Sequence, residues 1–462
     1  MAARSEGPKW RGFGGEAASH SGSTRKRVGQ SPPLLSLRDL RVHFETQRGI
    51  VRAVDGVSLE IGERETLGLV GETGSGKSIT ARSILRLVPV PPGIYAEGRA
   101  LFRPRTACPR CSGAGCHECA GVGKVPATCT SCSGAGCTKC EGSGQETLDL
   151  LRVPMQSLRR IRGNHISMIF QDPGKALNPA WSIRLHMAEV FAEHCADDLL
   201  RDAGLDPAHA STLLRRSARR RTTFWERCAL RASPLRRKHR KLEAALDDRI
   251  ALALADTRIP NPRKIMNSYP HELSGGMKQR VMIAQALAAD PDLLIADEPT
   301  TALDVTIQAR ILDLIAELQE RHHAAVLYIS HDLTLVRRIS DRVAVMYAGK
   351  LVETGDAGNI FATPLHPYTH GLLAATPKRG QRRGELAAIE GTVPELVDPS
   401  ASCRFNTRCP HAADACRRVE PQLTLQHPPD HRAACFLYES GEQIEVAPES
   451  MPTRVSAGHR RP

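Results

Sequence analysis

Apolar and polar residues alternate through LLSLRDLRVHFE (34–45) and VRAVDGVSLEI (51–61). That period of two predicts a pair of antiparallel strands. The period then changes: ETLGLVGETGSGKSITARSILRLV (65–88) reads as an apolar strand, a glycine-rich turn and a helix. HISMIFQDP (165–173) predicts a short strand closed by a proline turn, and residues 185–268 are mostly helical in pattern. LSGGMKQRVMIAQALAAD (273–290) is a turn opening into a helix, and LLIADEP (293–299) a buried strand ending in two acids. A helix (ILDLIAELQERHH), a strand (AAVLYISHD) and a hairpin (RVAVMYAGKLVETG) follow. Strands alternating with helices predict an α/β core on a parallel sheet. Residues 1–33, rich in Gly, Ser and Arg, predict a disordered tail, and 441–462 a flexible one. Beyond about residue 378 the helical pattern fades while Pro, Cys and His increase, which predicts a small separate module over 379–440.

Composition narrows the class. No apolar run approaches the roughly 20 residues of a membrane span, and the N-terminal stretch lacks the apolar segment of a secretory signal. A cytoplasmic setting is therefore expected, where the 14 cysteines favour metal binding over disulfides. The net charge of +13 is local: residues 215–241 hold twelve Arg or Lys and one acid, a net of +11, leaving +2 elsewhere.

The chemistry starts at GETGSGKS (71–78), which fits G-x-x-x-x-G-K-S between a strand and a helix. Gly71, Gly74 and Gly76 allow N–H groups, with that of Ser75, to turn inward around phosphates, and the helix N-terminus adds its dipole. Lys77 can reach the β- and γ-phosphates, and Ser78 can ligate Mg²⁺. Asp297, at the end of an apolar strand, can hold the same ion, and Glu298 can polarise an attacking water. LSGGMKQR (273–280) resembles the signature motif of ABC ATPases, with Met277 where Gln is commonest. The P-loop, Gln171, Asp297–Glu298, TALD (301–304) and His331 stand around it in that family's order. The resemblance covers roughly residues 34–378 and implies an ABC-type P-loop ATPase core with an antiparallel β subdomain and a helical subdomain (185–268). It also implies a head-to-tail nucleotide sandwich, with ATP between one subunit's P-loop and the signature residues Ser274, Gly275 and Gly276 of another. In that frame Glu298 is the catalytic base, His331 the γ-phosphate switch and Gln171 a sensor of Mg²⁺ and water. Asp304 supports the dimer contact, and Phe44 stacks on adenine.

PLHPYTHGLLAATP (364–377), QDPGKALNPAWSI (171–183) and CRFNTRCPHAADACRR (403–418) resemble segments of the ATP-binding subunits of bacterial oligopeptide, dipeptide and nickel importers. This implies a second ATPase subunit, two transmembrane permease subunits and an extracytoplasmic solute-binding protein as partners. It places the chain peripherally on the cytoplasmic face of the inner membrane. Cys403, Cys409, Cys416 and Cys435, spaced C-x5-C-x6-C-x18-C, suit a tetrahedral zinc, an iron–sulfur cluster or free buried thiols. The resemblance adds that some members carry a [4Fe–4S] cluster there.

Residues 108–144 carry four C-x-x-C-x-G-x-G repeats: Cys108/Cys111, Cys116/Cys119, Cys129/Cys132 and Cys137/Cys140. Eight thiolates make two four-cysteine zinc sites, and the repeat resembles the zinc module of J-domain co-chaperones. The spacing leaves open which knuckles share an ion. The cassette (106–146) reads as an insertion in the β-rich subdomain, a structural knob too short to fold without a staple. A regulatory or sensing surface is the sharper alternative. The basic run, with Phe224 and Trp225 among arginines, reads as a solvated face, with an anionic-lipid or nucleic-acid contact as alternatives. A nucleic-acid-associated, DNA-repair type of ABC ATPase also carries inserted zinc modules. That class has two cores per chain, however, and only one P-loop is present here.

Overall fold

The computed structural model describes residues 32–438 apart from 112–115, 118, 120–121, 233–234, 302 and 377–388. The two predicted tails lie almost wholly outside the described residues.

Five neighbouring strands of an eight-stranded sheet are parallel, and four of them end at the candidate nucleotide site. From one side these four run Thr66–Val70, Ala325–Ser330, Leu293–Asp297 and Ile166–Ile169, each hydrogen-bonded in parallel to the next. Arg342–Tyr347 joins Thr66–Val70 in parallel on its other side and returns antiparallel as Lys350–Asp356. These strands read as nearly unbroken apolar runs because both faces are covered. Their period of two divides the side chains between two cores. Leu67, Leu69, Leu293, Ile295, Leu327 and Ile329 pack towards the antiparallel sheet, whereas Val70, Leu294, Ala296, Val326 and Tyr328 pack with the helical side.

The antiparallel sheet has the order Gly49–Ile61, Leu35–Thr46, Gly93–Phe102, Leu148–Asp149. The last two strands pair directly, Leu101 with Asp149 and Phe102 with Leu148. The cysteine cassette therefore leaves and re-enters between two hydrogen-bonded neighbours, which is where a sheet tolerates an insertion without losing register. Inside the insertion Arg105–Ala107 pairs with Lys124–Pro126, and Thr128 bridges Gln145. Each pairing closes one cysteine loop at its base.

Residues 183–265 form the expected helical subdomain, from Ile183–His194 through the long Arg236–Asp256. The basic stretch lies on Thr212–Ala218, Phe224–Ala232 and the start of Arg236–Asp256. Several of its arginines are engaged locally: Arg216 with Glu226 (2.9 Å) and Arg221 with Glu193 (2.9 Å). Phe224 and Trp225 stack edge-to-face and remain 70% and 79% exposed.

The C-terminal module differs from the separate unit that its composition predicts. Thr424–His427 and His431–Ala433 extend the core sheet, His431–Ala433 pairing antiparallel with Lys350–Asp356. Phe405 packs against Tyr347, Tyr368 and His366. The fully buried Glu353 carboxylate accepts from the N–H groups of Leu365 and His366 and pairs with His431 (2.7 Å). Arg404 and Asp55, both almost wholly buried, form an ion pair. Removing one partner of such a pair strands a charge, so the module is bound into the core.

Candidate nucleotide site and metal cassette

Parallel strands end along a common edge, and in open α/β sheets that edge is where ligands bind. Here Gly71, His331, Asp297–Glu298 and Gln171 all follow the carboxyl ends of adjacent strands. The P-loop joins Thr66–Val70 to the helix Lys77–Ile84. Gly71 and Gly76 have φ of 152° and 101°, and a Cβ there would lie 2.1 Å from the Met346 carbonyl and 2.4 Å from that of Ala53. Both positions therefore require glycine. Gly74 needs it for its positive φ of 83° alone. Lys77 is buried, which lowers its pKa, and its Nζ donates to the carbonyls of Gly71 (2.7 Å) and Glu72 (2.8 Å) and to Ser75 Oγ (3.3 Å).

Ser78 Oγ donates to Asp297 Oδ1 at 2.8 Å, across 219 residues of sequence. The other oxygen, Asp297 Oδ2, is buried with no hydrogen-bond partner. Burial pushes this carboxyl's pKa upward. A hydroxyl and a carboxylate whose second oxygen is buried and unpartnered form a donor set that fits a hard divalent cation such as Mg²⁺.

Glu298 adopts a left-handed backbone (φ 47°), an uncommon conformation for a residue with a side chain. Its Oε2 accepts from Gln171 Nε2 (2.9 Å) and Thr301 Oγ1 (2.9 Å), and Oε1 lies 3.2 Å from His331 Nδ1. The three residues assigned roles in hydrolysis thus meet in one cluster. Thr301 was not singled out by sequence; its place three residues after Glu298, at the head of TALD, was the available signal. Ser274 caps the helix Gly275–Leu287, accepting from the Met277 N–H (3.4 Å). Gly276 packs under Ile307, where a Cβ would meet Cγ2 at 3.1 Å. Asp304 caps Val305–His322 through the Ile307 N–H (2.9 Å). Among the described residues, no hydrogen bond or ion pair joins Ser274, Gly275, Gly276 or Asp304 to the P-loop. Phe44 is half-buried, in register with Val51 and Gly93.

The cassette gathers its sulfurs by contiguous pairs. Cys108, Cys111, Cys116 and Cys119 form one group and Cys129, Cys132, Cys137 and Cys140 the other, each with all sulfurs within 4.8 Å of one another. The spacings are those of a single tetrahedral ion. Cys108–Cys116, Cys111–Cys119 and Cys116–Cys119 lie at 3.8, 3.7 and 3.8 Å. Cys129–Cys137, Cys132–Cys140 and Cys137–Cys140 lie at 3.9, 3.8 and 3.7 Å. Metal–sulfur bonds of about 2.3 Å in a tetrahedron put sulfurs about 3.8 Å apart. Backbone N–H groups point at the sulfurs: Cys116 and Gly123 at Cys119 (3.1 and 3.2 Å), Cys137 at Cys140 (3.1 Å), Gly136 at Cys132 (3.2 Å). The Cys116 N–H is the main reason that the Cys119 thiol falls to about 6. Burial pushes Cys140 up, but hydrogen bonds from the Cys137 and Gly144 backbone and from the Cys137 and Cys132 side chains together bring it to about 6, whereas burial pushes Cys132 up to about 11. Thiolates are the metal-binding form, so these donors favour occupancy.

The cassette is more than a knob. Glu141 accepts a bidentate bond from Arg38 of the antiparallel sheet (2.6 and 2.8 Å). On the other side Lys124 reaches Asp290 (3.0 Å) and Asp292 (3.2 Å). Those two acids lie between the signature helix and the strand Leu293–Asp297, at the end remote from Asp297. Five strand residues separate the two ends by roughly 16 Å. The footing formed by Lys124 thus lies at the end of the strand remote from the nucleotide edge. The C-terminal cysteines are arranged differently. They form no group of three sulfurs within 4.8 Å. Yet they share one neighbourhood: the Cys403 N–H donates to the Cys416 carbonyl (2.9 Å), and the charges of Cys409, Cys403 and Cys416 all act on Cys435.

Comparison with known proteins adds the family. The ABC transporter family profile matches residues 139–301, and that described as "Oligopeptide/dipeptide transporter, C-terminal region" matches 352–416. A probable peptide ABC transporter ATP-binding protein of Sinorhizobium fredii is 37% identical over 404 residues, covering 87% of this chain and 94% of the relative. The dipeptide transport ATP-binding proteins of Bacillus subtilis and Escherichia coli are each 36% identical, covering 89% and 85% of this chain and 97% and 93% of theirs. The chain belongs to the ABC transporter ATP-binding proteins. It is an ATPase of that family, with ATP and Mg²⁺ as its expected ligands. The ABC profile match starts inside the second cysteine group, so all but the last residues of the cassette lie between the P-loop and the matched region. The nucleic-acid alternative gains no support from these relatives. Among the described residues no helix is long and apolar enough to cross a membrane.

Removing the charge from the general base while keeping its shape isolates its role. Glu298→Gln should lower steady-state ATP turnover by at least about 100-fold, with nucleotide binding retained. Undiminished turnover would remove Glu298 from the reaction.

Proposed function

We propose that the chain energises the import of peptides, or of related solutes such as nickel complexes, through an ABC transporter. The observation that carries this reading is a pairing within one chain. The Gln171–Glu298–His331 cluster lies beside the Ser78–Asp297 junction, and the oligopeptide/dipeptide C-terminal region is built into the same sheet. The relatives' names place them in peptide and dipeptide transport.

In the proposed cycle ATP lies on Gly71, Gly74, Ser75, Gly76 and Lys77, with Phe44 against adenine. Ser78 and Asp297 would hold Mg²⁺, which would supply a Lewis acid to offset charge on the phosphate oxygens. Glu298 orients and deprotonates the attacking water, Gln171 fixes the carboxylate, and His331 reports the γ-phosphate. Ser274, Gly275 and Gly276 of a second ATPase subunit close the sandwich, supported by Asp304. Two permease subunits and an extracytoplasmic solute-binding protein complete the assembly at the cytoplasmic face of the membrane. Nucleic acid has no part in it. We assign an ATPase domain to 34–378, carrying the cassette at 106–146, and a cysteine module to 379–440 that is joined to the core sheet rather than separate from it.

The two cassette groups hold one zinc each, because a single ion matches their sulfur spacing and leaves no open coordination position. The C-terminal thiols take a [4Fe–4S] cluster. A cluster is wider than one ion and holds its thiolates farther apart than a single tetrahedral ion does.

Uptake of a radiolabelled dipeptide should vanish when the chain is deleted from its host and return with the wild-type chain but not with Glu298→Gln. Uptake that persists without the chain would overturn the peptide reading. Mass spectrometry of anaerobically purified protein should find about two zinc and four iron per chain. Three zinc and no iron would replace the cluster with a third structural ion.

A further inference from the structure

Glu72 is one of the free positions of the P-loop pattern, yet each of its polar groups is engaged. Its N–H donates to Tyr368 Oη (2.8 Å), and its carbonyl accepts from Lys77 Nζ (2.8 Å). Its carboxylate accepts a fork from Arg408: one guanidinium nitrogen to Oε2 at 2.8 Å, the other to Oε1 at 3.1 Å. Arg408 comes from the C-terminal module, 336 residues away, and its side chain is 5% exposed. The guanidinium is itself fixed. It donates to the carbonyls of Glu390 (2.9 Å) and Ile389 (3.2 Å) and to Tyr347 Oη (3.4 Å), and lies 5.8 Å from the Tyr347 ring centroid. The residue after it is Cys409, and Arg404 in the same turn pairs with Asp55.

The Glu72 carboxylate adds a negative charge to a loop whose backbone is shaped to receive phosphates, and Arg408 supplies its counter-charge. Unpaired, it would repel the triphosphate and compete for Lys77, whose ammonium already feels the Glu72 charge. A bidentate guanidinium cancels that charge and fixes the carboxylate plane, which a lysine would do less well.

We propose that Arg408 is a positioning residue for ATP: it holds the first half of the P-loop through Glu72 and neutralises that carboxylate beside the phosphates. The C-terminal cysteine module is thereby a working part of the nucleotide site. This rests on ATP binding at the P-loop, so the test carries a separate control for it.

Equilibrium ATP binding and steady-state ATPase would be measured on the full-length chain. Lys77→Ala should abolish binding; if it does not, the nucleotide site itself has been misplaced. Arg408→Ala should weaken ATP binding and raise KM about tenfold, with kcat at saturating ATP within about twofold, the size expected for stranding one charged partner. Arg408→Lys should fall between it and wild type. Glu72→Gln combined with Arg408→Ala should restore binding to within about twofold of wild type, because the stranded charge is gone. That rescue separates charge cancellation from simple bracing. Unchanged affinity in Arg408→Ala, or no rescue in the double variant, overturns the proposal. If Arg408→Ala does not fold, Arg408→Lys and the double variant decide alone.

Discussion

The hydrogen bond from Ser78 to Asp297 is the junction on which the molecule turns. It joins the first turn of the P-loop helix to the end of a strand more than 200 residues later, and it can form only because their two strands share a parallel sheet. Parallel pairing brings the carboxyl ends of Thr66–Val70, Ala325–Ser330, Leu293–Asp297 and Ile166–Ile169 to one edge. Everything assigned to hydrolysis follows one of those ends. The sheet can be parallel because its strands are apolar on both faces, with the helical core on one side and the antiparallel sheet on the other. A buried carboxylate with an unmatched oxygen is then the residual cost of the arrangement, one that a divalent cation would offset.

The two additions to this core occupy different ends of it. The cysteine cassette is anchored by Glu141 to Arg38, and by Lys124 to the acids at the start of the strand Leu293–Asp297, away from the nucleotide edge. A small insertion with little core of its own is stabilised by its sulfur groups and by these two footings. The C-terminal module does the reverse. It extends the core sheet and sends Arg408 to the P-loop. Cysteine content makes the two modules look alike in sequence; their contacts make one a brace at the back and the other a neighbour of the P-loop.

Much of this was legible in the chain. The alternation in 34–61, the apolar runs at 66–70 and 293–297 and the glycine pattern at 71–78 each report a local rule, and the structure obeys them. The cassette's repeat announced two four-thiolate groups, but pairing by contiguous knuckles depends on how each loop closes on its hairpin, which spacing does not encode. Three things escaped. Thr301 joins Glu298 through a turn whose geometry follows from a left-handed residue. The Arg408–Glu72 and Arg404–Asp55 pairs span more than 330 residues, and charge patterning within a segment cannot reveal a partner so distant. The C-terminal strands are three and four residues long, too short for alternation to register, so their addition to the core sheet appears only when Lys350–Asp356 is in place beside them.

The junction between Ser78 and Asp297 as the cation seat is the claim on which the rest leans, and Mn²⁺ tests it most directly as a paramagnetic stand-in for Mg²⁺. Electron paramagnetic resonance of the full-length chain with a non-hydrolysable ATP analogue should show one tightly held Mn²⁺ per chain. Asp297→Asn should loosen that ion by about tenfold or more while the nucleotide still binds. Mn²⁺ held equally tightly without the Asp297 carboxylate would contradict the account.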